Sequence, residues 1–217
     1  MGIQLGPHDW AVRCNLVTVI DDVMVDFSGG HVSKPDGQTY METVRERLTG
    51  GPLEFHAGVS YRNLMIYRGT PVLPAPFSRE TRTHAPHDIP DKPIAPHLPT
   101  GPGSELLRDL MTESRKFLAS HPLNCTRQAR GESPVTQVWL WGQGQAPNLA
   151  PFEKVYGKRG AIITAVDLLR GVGTILGWKR IDVPTATGYL DTDYAAKGRA
   201  GVAALKDFDL VCVHIEA

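Results

Sequence analysis

The chain has 217 residues and carries 23 basic (Lys plus Arg) and 23 acidic (Asp plus Glu) side chains. This balance argues against general binding to nucleic acid or to a membrane surface, whereas small anions stay candidate ligands because they need only a local arginine cluster. Hydrophobic residues make up 41% of the sequence and charged residues 21%, which excludes disordered and fibrous classes and predicts one or two globular domains.

Three cysteines, Cys14, Cys125 and Cys212, lie far apart without CxxC spacing. The pattern favours reduced, buried thiols over a disulfide or a zinc site, and reduced thiols are typical of cytoplasmic proteins. No apolar run is long enough to cross a membrane, and the N-terminal segment lacks the basic and apolar regions of a secretory signal. We therefore expect a cytoplasmic protein that does not bind membranes.

Two runs of β-branched and apolar residues, 12–20 and 23–27, predict a β-hairpin. Arg13 and Asn15 fall on one face of the first strand, because side chains alternate along a strand. An arginine fork and an amide donor can together clamp an anion. The alternative is that both residues belong to a solvated sheet face.

An amphipathic helix is predicted for residues 38–49, ended by the Gly-Gly-Pro at 50–52. Two strand-like runs follow at 53–56 and 61–67, and the second contains Arg62. Arginine is mostly exposed in folded proteins, so Arg62 taken alone is typical of a surface position.

Residues 70–103 are the least regular stretch and are rich in proline. A loop of this length in a compact domain is usually functional or disordered. His87 and Asp88 within it suit a proton-transfer pair or part of a metal site, although local spacing supplies no third ligand. The alternative is a proline-stiffened loop that wraps the surface.

Residues 105–120 predict a second amphipathic helix, with Ser104 as its N-cap and His-Pro at 121–122 as its end. Asn124 and Arg127 follow it. They place an amide and a guanidinium shortly before the next strand.

The run VTQVWLWGQG, residues 135–144, predicts a buried strand that ends in a glycine loop and closes one structural unit. Trp139 and Trp141 are two positions apart, so they share a face of that strand. Packing is the favoured role for these indoles over stacking on a ligand.

Further along the chain, strands and helices alternate, with strands at 160–165, 178–183 and 209–215 and helices at 166–176 and 191–206. This order predicts parallel strands joined by helical crossovers, and the apolar run 209–215 predicts a fully buried strand. No dinucleotide-binding or Walker motif is present. Ligands of open α/β sheets lie past the carboxyl ends of strands. This sequence ends directly after the run 209–215, where such a site would begin. We therefore expect it to be a fragment of a longer protein.

Several stretches together resemble one family: GPHDWAVRCNLVTV, VDFSGGHV, YRNLMI, PHDIPDK, HPLNCTRQARGESPVTQVWLWGQG, GAIITAVDLLRGVG and DLVCVHIEA. They look like the archaeal-type, cofactor-independent (2,3-bisphosphoglycerate-independent) phosphoglycerate mutases of the alkaline phosphatase superfamily. The resemblance implies an α/β protein. Residues 1–147 would be an inserted, mixed-sheet substrate domain, and residues 148–217 part of an alkaline-phosphatase-like metalloenzyme core with a parallel sheet.

The same resemblance implies a glycolytic isomerase that interconverts 3-phosphoglycerate and 2-phosphoglycerate through a phosphoenzyme. Two divalent metal ions of the Mn or Mg type would serve the full-length enzyme, with no need for 2,3-bisphosphoglycerate. The family's nucleophile and metal-ligand motifs do not occur in this sequence. We therefore expect no catalytic residue and no metal ligand here, and an inactive fragment.

The candidate substrate contacts suit a ligand with a phosphate and a carboxylate; they are Arg13, Asn15, Arg62, His87, Asp88, Asn124 and Arg127. The expected partner is a small phosphoglycerate, not nucleic acid or membrane, and the oligomeric state stays open. Two alternatives remain. One is another phosphatase, phosphopentomutase or phosphotransferase of the superfamily, and the other is a non-catalytic module that binds an organic phosphate.

Overall fold

The structure is a computed structural model that describes residues 2–188 and 190–215. The described chain divides into two compact units, one up to residue 146 and one from residue 147 onward. The identities predicted for the two parts, a substrate domain and a partial metalloenzyme core, stay predictions. No helix among the described residues is long and apolar enough to cross a membrane.

The first unit is an antiparallel sheet covered by helices. Its elements are β1 (Trp10–Ile20), β2 (Val23–Asp26), α1 (Lys34–Leu48), β3 (Leu53–Val59), β4 (Arg62–Tyr67), α2 (Ser104–Leu118), α3 (Pro122–Ala129) and β5 (Gln137–Gly144). The strand order is β2-β1-β4-β3, and β5 also pairs with β1. The predicted α/β class is confirmed, and every strand pair of this unit is antiparallel in the described residues.

Strand β1 is the centre of the unit because it pairs with β4, with β5 and, near its end, with β2. Its side chains Val12, Cys14 and Leu16 are completely buried. The predicted hairpin between β1 and β2 is confirmed. Its tight turn uses Asp21 and Asp22, both at positive φ, as hairpin turns of two residues require.

The first predicted helix begins earlier than expected. Ser33 accepts a hydrogen bond from the Asp36 amide and caps α1, and a proline occupies the first turn, so the helix starts at Lys34 rather than at residue 38. Tyr40 and Val44 lie on its buried face, as the pattern predicted.

Three details around α2 and β5 differ from the sequence predictions. The N-cap position of α2 is Gly103, at φ 71°, and Ser104 is already helical. The His-Pro pair predicted as a helix end also starts α3, since the His121 ring accepts from the Leu123 amide and proline suits the first turn. The predicted glycine loop after Trp141 is wrong, because β5 continues to Gly144.

The proline-rich loop packs on the sheet. Lys92 and Asp91 form backbone hydrogen bonds with Met24 of β2. Phe77, Ile89 and Ile94 of the loop are buried (about a tenth exposed or less) and belong to the unit's hydrophobic core. The stretch therefore fits the alternative of a proline-stiffened loop wrapping the domain.

The second unit contains a small parallel sheet in the order β7-β6-β8. Its elements are α4 (Phe152–Tyr156), β6 (Gly160–Ile163), α5 (Asp167–Ile175), β7 (Lys179–Arg180), α6 (Tyr194–Ala204) and β8 (Leu210–Val213). The predicted alternation of strand and helix is confirmed, and α4 was not predicted. The last strand is not fully buried, because Leu210 and Val213 are 42% and 36% exposed.

The three cysteines are free. Cys14 is buried as predicted, whereas Cys125 is exposed and Cys212 is partly buried. Burial raises the pKa of the Cys14 thiol to about 12, so this thiol stays protonated near neutral pH and is a poor nucleophile.

Candidate anion-binding site

One face of the antiparallel sheet collects several of the predicted residues. In the strand register Arg13 lies opposite Trp141, and Asn15 lies opposite both Trp139 and Arg62. Residues directly opposite each other in antiparallel strands project to the same face. The predicted shared face of Arg13 and Asn15 is confirmed, as is that of the two tryptophans. The register adds Arg62 to the same face.

Arg13 lies over an aromatic ring. Its Cζ atom is 4.5 Å from the centroid of the Trp141 ring, a cation–π distance. Among the described residues the guanidinium forms neither an ion pair nor a hydrogen bond, so its donors are available to a ligand.

Arg62 has a similar setting on the neighbouring strand. It is exposed, and its Cζ atom is 4.6 Å from the centroid of the Tyr61 ring. No carboxylate of the described chain pairs with it. The face therefore presents two cations that no carboxylate in ranges 2–188 and 190–215 neutralises.

Some arginines of the unit are held by carboxylates and are therefore less available to a ligand. Arg68 contacts Asp9 at 2.7 Å and Glu54 at 2.9 Å. The hydrogen bond from Arg68 holds the pKa of Glu54 below its usual range. Arg115 pairs with Asp22 at 2.7 Å. Arg13 and Arg62 have no such carboxylate partner within the described chain, and both lie on one face of the sheet beside aromatic rings.

Asn15 has its polar atoms engaged by the protein. Its side-chain amide donates to the Phe27 carbonyl at 3.2 Å, and its oxygen accepts from the Trp141 indole at 3.0 Å. The residue is only 4% exposed. Asn15 thus fixes the orientation of the indole that carries Arg13.

His87 and Asp88 lie on a short 3-10 turn of the loop, Pro86–Asp88. The His87 ring meets the Trp141 ring edge-on, with centroids 5.3 Å apart. His87 Nε2 and Asp88 Oδ1 are 3.9 Å apart, and both side chains are exposed. The loop therefore places one imidazole on the same tryptophan that Arg13 covers.

The predicted contacts Asn124 and Arg127 have a different environment, and no hydrogen bond or ion pair joins them to this face. The Asn124 oxygen accepts from the Tyr40 hydroxyl at 2.6 Å and from the Val135 amide at 2.9 Å. Its nitrogen donates to the carbonyls of Leu118 and Val135. The amide ties α1, α2 and the segment just before β5 together in the interior.

Arg127 is completely buried. It donates to the carbonyls of Gly29 at 2.7 Å and Ser133 at 3.1 Å, and it pairs with Asp36 at 3.0 Å. The same guanidinium also pairs with Glu132, with Arg127 Nη1 and Glu132 Oε2 3.0 Å apart. The Arg127 guanidinium is therefore occupied by contacts within the protein, as is typical of a structural ion pair.

Several hydrogen bonds hold the loop on β5. The Trp139 indole donates to the His84 carbonyl at 2.8 Å, and the Gly142 amide donates to the Thr83 hydroxyl at 3.0 Å. Gln143 donates to the Thr81 carbonyl at 2.9 Å. Sequence reasoning missed Thr83 and Gln143, because no local pattern signals a partner about 60 positions away.

The resemblance implies metal ions for the full-length enzyme and no metal ligand in this sequence. Nowhere in ranges 2–188 and 190–215 do three or more His, Cys, Asp or Glu side chains come together in a group that could hold a metal ion. The chemistry available on the described face is anion binding by guanidinium and imidazole groups.

Comparison with known proteins places these features in a family context. A family model described as 2,3-bisphosphoglycerate-independent phosphoglycerate mutase matches residues 1–124. Curated mutases of that name from Methanothrix thermoacetophila and Methanothermobacter thermautotrophicus are each 44% identical over the whole chain, which covers 53% and 52% of them. A probable mutase from Geobacter sulfurreducens is 40% identical. The chain spans about half the length of these relatives.

Two solved structures share the fold. A Pyrococcus horikoshii protein matches with a TM-score of 0.67 at 21% identity, covering 99% of this chain and 49% of its own. The cofactor-independent phosphoglycerate mutase from Thermoplasma acidophilum matches with a TM-score of 0.56 at 24% identity, covering 97% and 56%.

Proposed function

The chain belongs to the family of 2,3-bisphosphoglycerate-independent phosphoglycerate mutases, and from this premise we propose that it is part of an isomerase that interconverts 3-phosphoglycerate and 2-phosphoglycerate. The family name implies that 2,3-bisphosphoglycerate is not required. The three cysteines are free, which is typical of cytoplasmic proteins, and glycolytic isomerases act in the cytoplasm.

The observation that carries the proposal is the pair of unneutralised arginines, Arg13 and Arg62, on one face of the sheet. A phosphoglycerate has two anionic groups, a phosphate and a carboxylate, and the guanidinium fork binds either through two parallel hydrogen bonds. A guanidinium that rests on an aromatic ring is also held in place before the ligand arrives, which reduces the entropy lost on binding. We assign the two arginines to the anionic groups of the substrate.

The other candidate residues take distinct roles. His87 lies next to Arg13 on the same tryptophan and donates to a substrate oxygen, and Asp88 accepts from a glycerate hydroxyl. Asn15 acts through Trp141 rather than by direct contact. Asn124 and Arg127, whose polar atoms are occupied in the interior, support the fold of the unit.

The residues of this chain bind and orient the substrate, and the phosphoryl transfer is assigned elsewhere. We place the nucleophile and the two divalent metal ions in the part of the relatives' length that this chain does not span. Metal ions in such a site polarise phosphoryl oxygens and activate the nucleophile. The chain alone is therefore expected to bind phosphoglycerate without isomerising it.

A titration of the 217-residue chain with 3-phosphoglycerate, followed by NMR or calorimetry, tests the binding role. We expect saturable binding that Arg13→Ala and Arg62→Ala each weaken about tenfold or more, since a hydrogen bond to a charged group is worth about 1.5–3 kcal/mol. Arg47→Ala, on the exposed side of α1, is the matched control. Binding that is absent, or equal in all three variants, overturns the assignment.

An assay of a full-length protein that contains this segment tests the reaction. Conversion of 3-phosphoglycerate to 2-phosphoglycerate supports the mutase. Release of inorganic phosphate without isomerisation supports the phosphatase alternative of the same superfamily and overturns the proposal.

A further inference from the structure

A bulge in β5 lies directly beside Arg13. Trp141 pairs with Arg13 and Gly144 pairs with Ala11, so β5 has one more residue than β1 between these two pairs. Gly142, at φ 58°, occupies the bulge. A left-handed glycine is the usual way to absorb one extra residue in an antiparallel pair.

The missing side chain of Gly142 makes room for the arginine. A Cβ atom at Gly142 would lie 3.3 Å from Cδ of Arg13 and 3.6 Å from its Cγ and Nε atoms. The Arg13 side chain therefore runs over the glycine before its guanidinium reaches the Trp141 ring. Gly142 and the Trp141 ring together form the surface on which the Arg13 side chain lies, and this surface fixes the orientation of the guanidinium.

One hydroxyl joins this surface to the loop. Thr83 Oγ1 accepts from the Gly142 amide at 3.0 Å and donates to Gln143 Oε1 at 2.8 Å. The loop continues from Thr83 to His87, whose ring meets the Trp141 ring edge-on with centroids 5.3 Å apart. Thr83 therefore lies between the backbone that supports Arg13 and the segment that carries His87.

We propose that Thr83 is a positioning residue, which holds the Gly142 bulge so that Arg13 and His87 face the same ligand together. The inference rests on the proposed function, because it assigns Thr83 to the same anion site. Its physical basis is preorganisation: a guanidinium binds an anion through two bonds only when its plane is correctly oriented. Thr83 itself touches no substrate.

The test uses Thr83→Val, which keeps the shape and removes the hydroxyl, and Thr83→Ser, which restores it. Titration with 3-phosphoglycerate should show affinity lowered about two- to tenfold in Thr83→Val, the loss expected for one net hydrogen bond, and recovered in Thr83→Ser. Thr39→Val, on the exposed surface of α1, controls for threonine removal. In the Arg13→Ala background, Thr83→Val should have a smaller effect, because only the placement of His87 is then left to lose.

A second readout needs no ligand. The Arg13 guanidinium lies over the Trp141 ring, so the Hδ protons beside it should carry ring-current shifts. These shifts should decrease in Thr83→Val and return in Thr83→Ser. Unchanged shifts and unchanged affinity in Thr83→Val, or equal effects of Thr83→Val with and without Arg13, overturn the inference. If the unmodified chain does not bind 3-phosphoglycerate, the proposed function fails, and the Arg13 shifts alone decide whether Thr83 positions the side chain.

Discussion

The Trp141 indole donates a hydrogen bond of 3.0 Å to the side-chain oxygen of Asn15, which is 126 positions away in the sequence. Asn15 in turn donates to the Phe27 carbonyl. A single buried amide thus connects β1, β5 and the segment after β2. The indole that carries Arg13 is held by this amide rather than by packing alone.

Asn15→Ala is expected to destabilise the first unit by about 1–3 kcal/mol, because the partly buried indole N–H of Trp141 and the Phe27 carbonyl lose their partner. The tryptophan fluorescence of the folded protein should also change, since Trp141 is no longer fixed. Urea unfolding measures the first effect. Gln38→Ala, which removes an exposed amide on α1, is the control, and equal unfolding midpoints for the two variants would contradict the role given to Asn15.

Arg127 and Arg130 provide a matched pair, because both contact the same oxygen of Asp36, at 3.0 and 2.8 Å. Their side chains are 1% and 46% exposed. Arg127→Met should cost about 3–5 kcal/mol, the range for breaking a buried ion pair while its partner stays. Arg130→Met should have a small effect, because water replaces its contacts.

Denaturant unfolding of the two variants, monitored at several wavelengths, distinguishes these outcomes. Comparable losses in Arg127→Met and Arg130→Met would show that burial does not govern the strength of this cluster. A large loss confined to Arg127→Met would instead support its structural role over substrate contact.

The cluster of Asp9, Glu54 and Arg68 predicts a pH dependence. Burial alone would raise the pKa of Asp9, but hydrogen bonds from the Gly6 amide and from Arg68 outweigh it, and the pKa lies below the ordinary 3.8. Arg68 also lowers the pKa of Glu54 from 4.5. A lowered folded-state pKa gives stability that is complete above the ordinary pKa and is lost as the pH falls through the lowered one.

Acidification from neutral pH to below the lowered pKa values of Asp9 and Glu54 should therefore destabilise the native protein. The loss should be smaller in Arg68→Met, because both carboxyl groups return towards their ordinary pKa values in this variant. Arg45→Met, on the exposed side of α1, should follow the native protein. Unfolding curves recorded across this range test the expectation, and parallel pH profiles for the native protein and Arg68→Met would refute it.

The second unit should show lower hydrogen-exchange protection than the first. Leu168, Val172 and Ile175 recur at helical spacing along α5 and are 58%, 42% and 40% exposed, so this stripe contributes little burial. In the described residues β8 pairs only with β6, whereas β1 is paired on both edges. Hydrogen exchange followed by mass spectrometry should show that the amides of β8 exchange faster than those of β1. Equal protection of the two strands would contradict this expectation.

Local patterns predicted much of this arrangement. Alternation along a strand placed Arg13 with Asn15 and Trp139 with Trp141. The two pairs lie on the same face because of the register between β1 and β5. This register joins segments that are distant in the sequence, so no local pattern predicts it. The same limit explains why Thr83 and Gln143 were not predicted.

The errors at element ends have physical causes as well. Gly142 and Gly144 have weak strand propensity, and the sequence predicted a loop there. Pairing with β1 outweighs that propensity and turns the first glycine into a bulge. His121 was assigned to the end of one helix, although its ring also caps the start of the next.

The position of β1 has a consequence for how the protein is made. The second edge of β1 is closed by β5, which comes last in the first unit. During synthesis this central strand therefore stays paired on one edge only until almost the whole unit has been made. Non-local pairing of this kind slows folding and prolongs the exposure of strand edges. Recovery of soluble protein at high expression rates should therefore depend on chaperone supply and on the rate of translation.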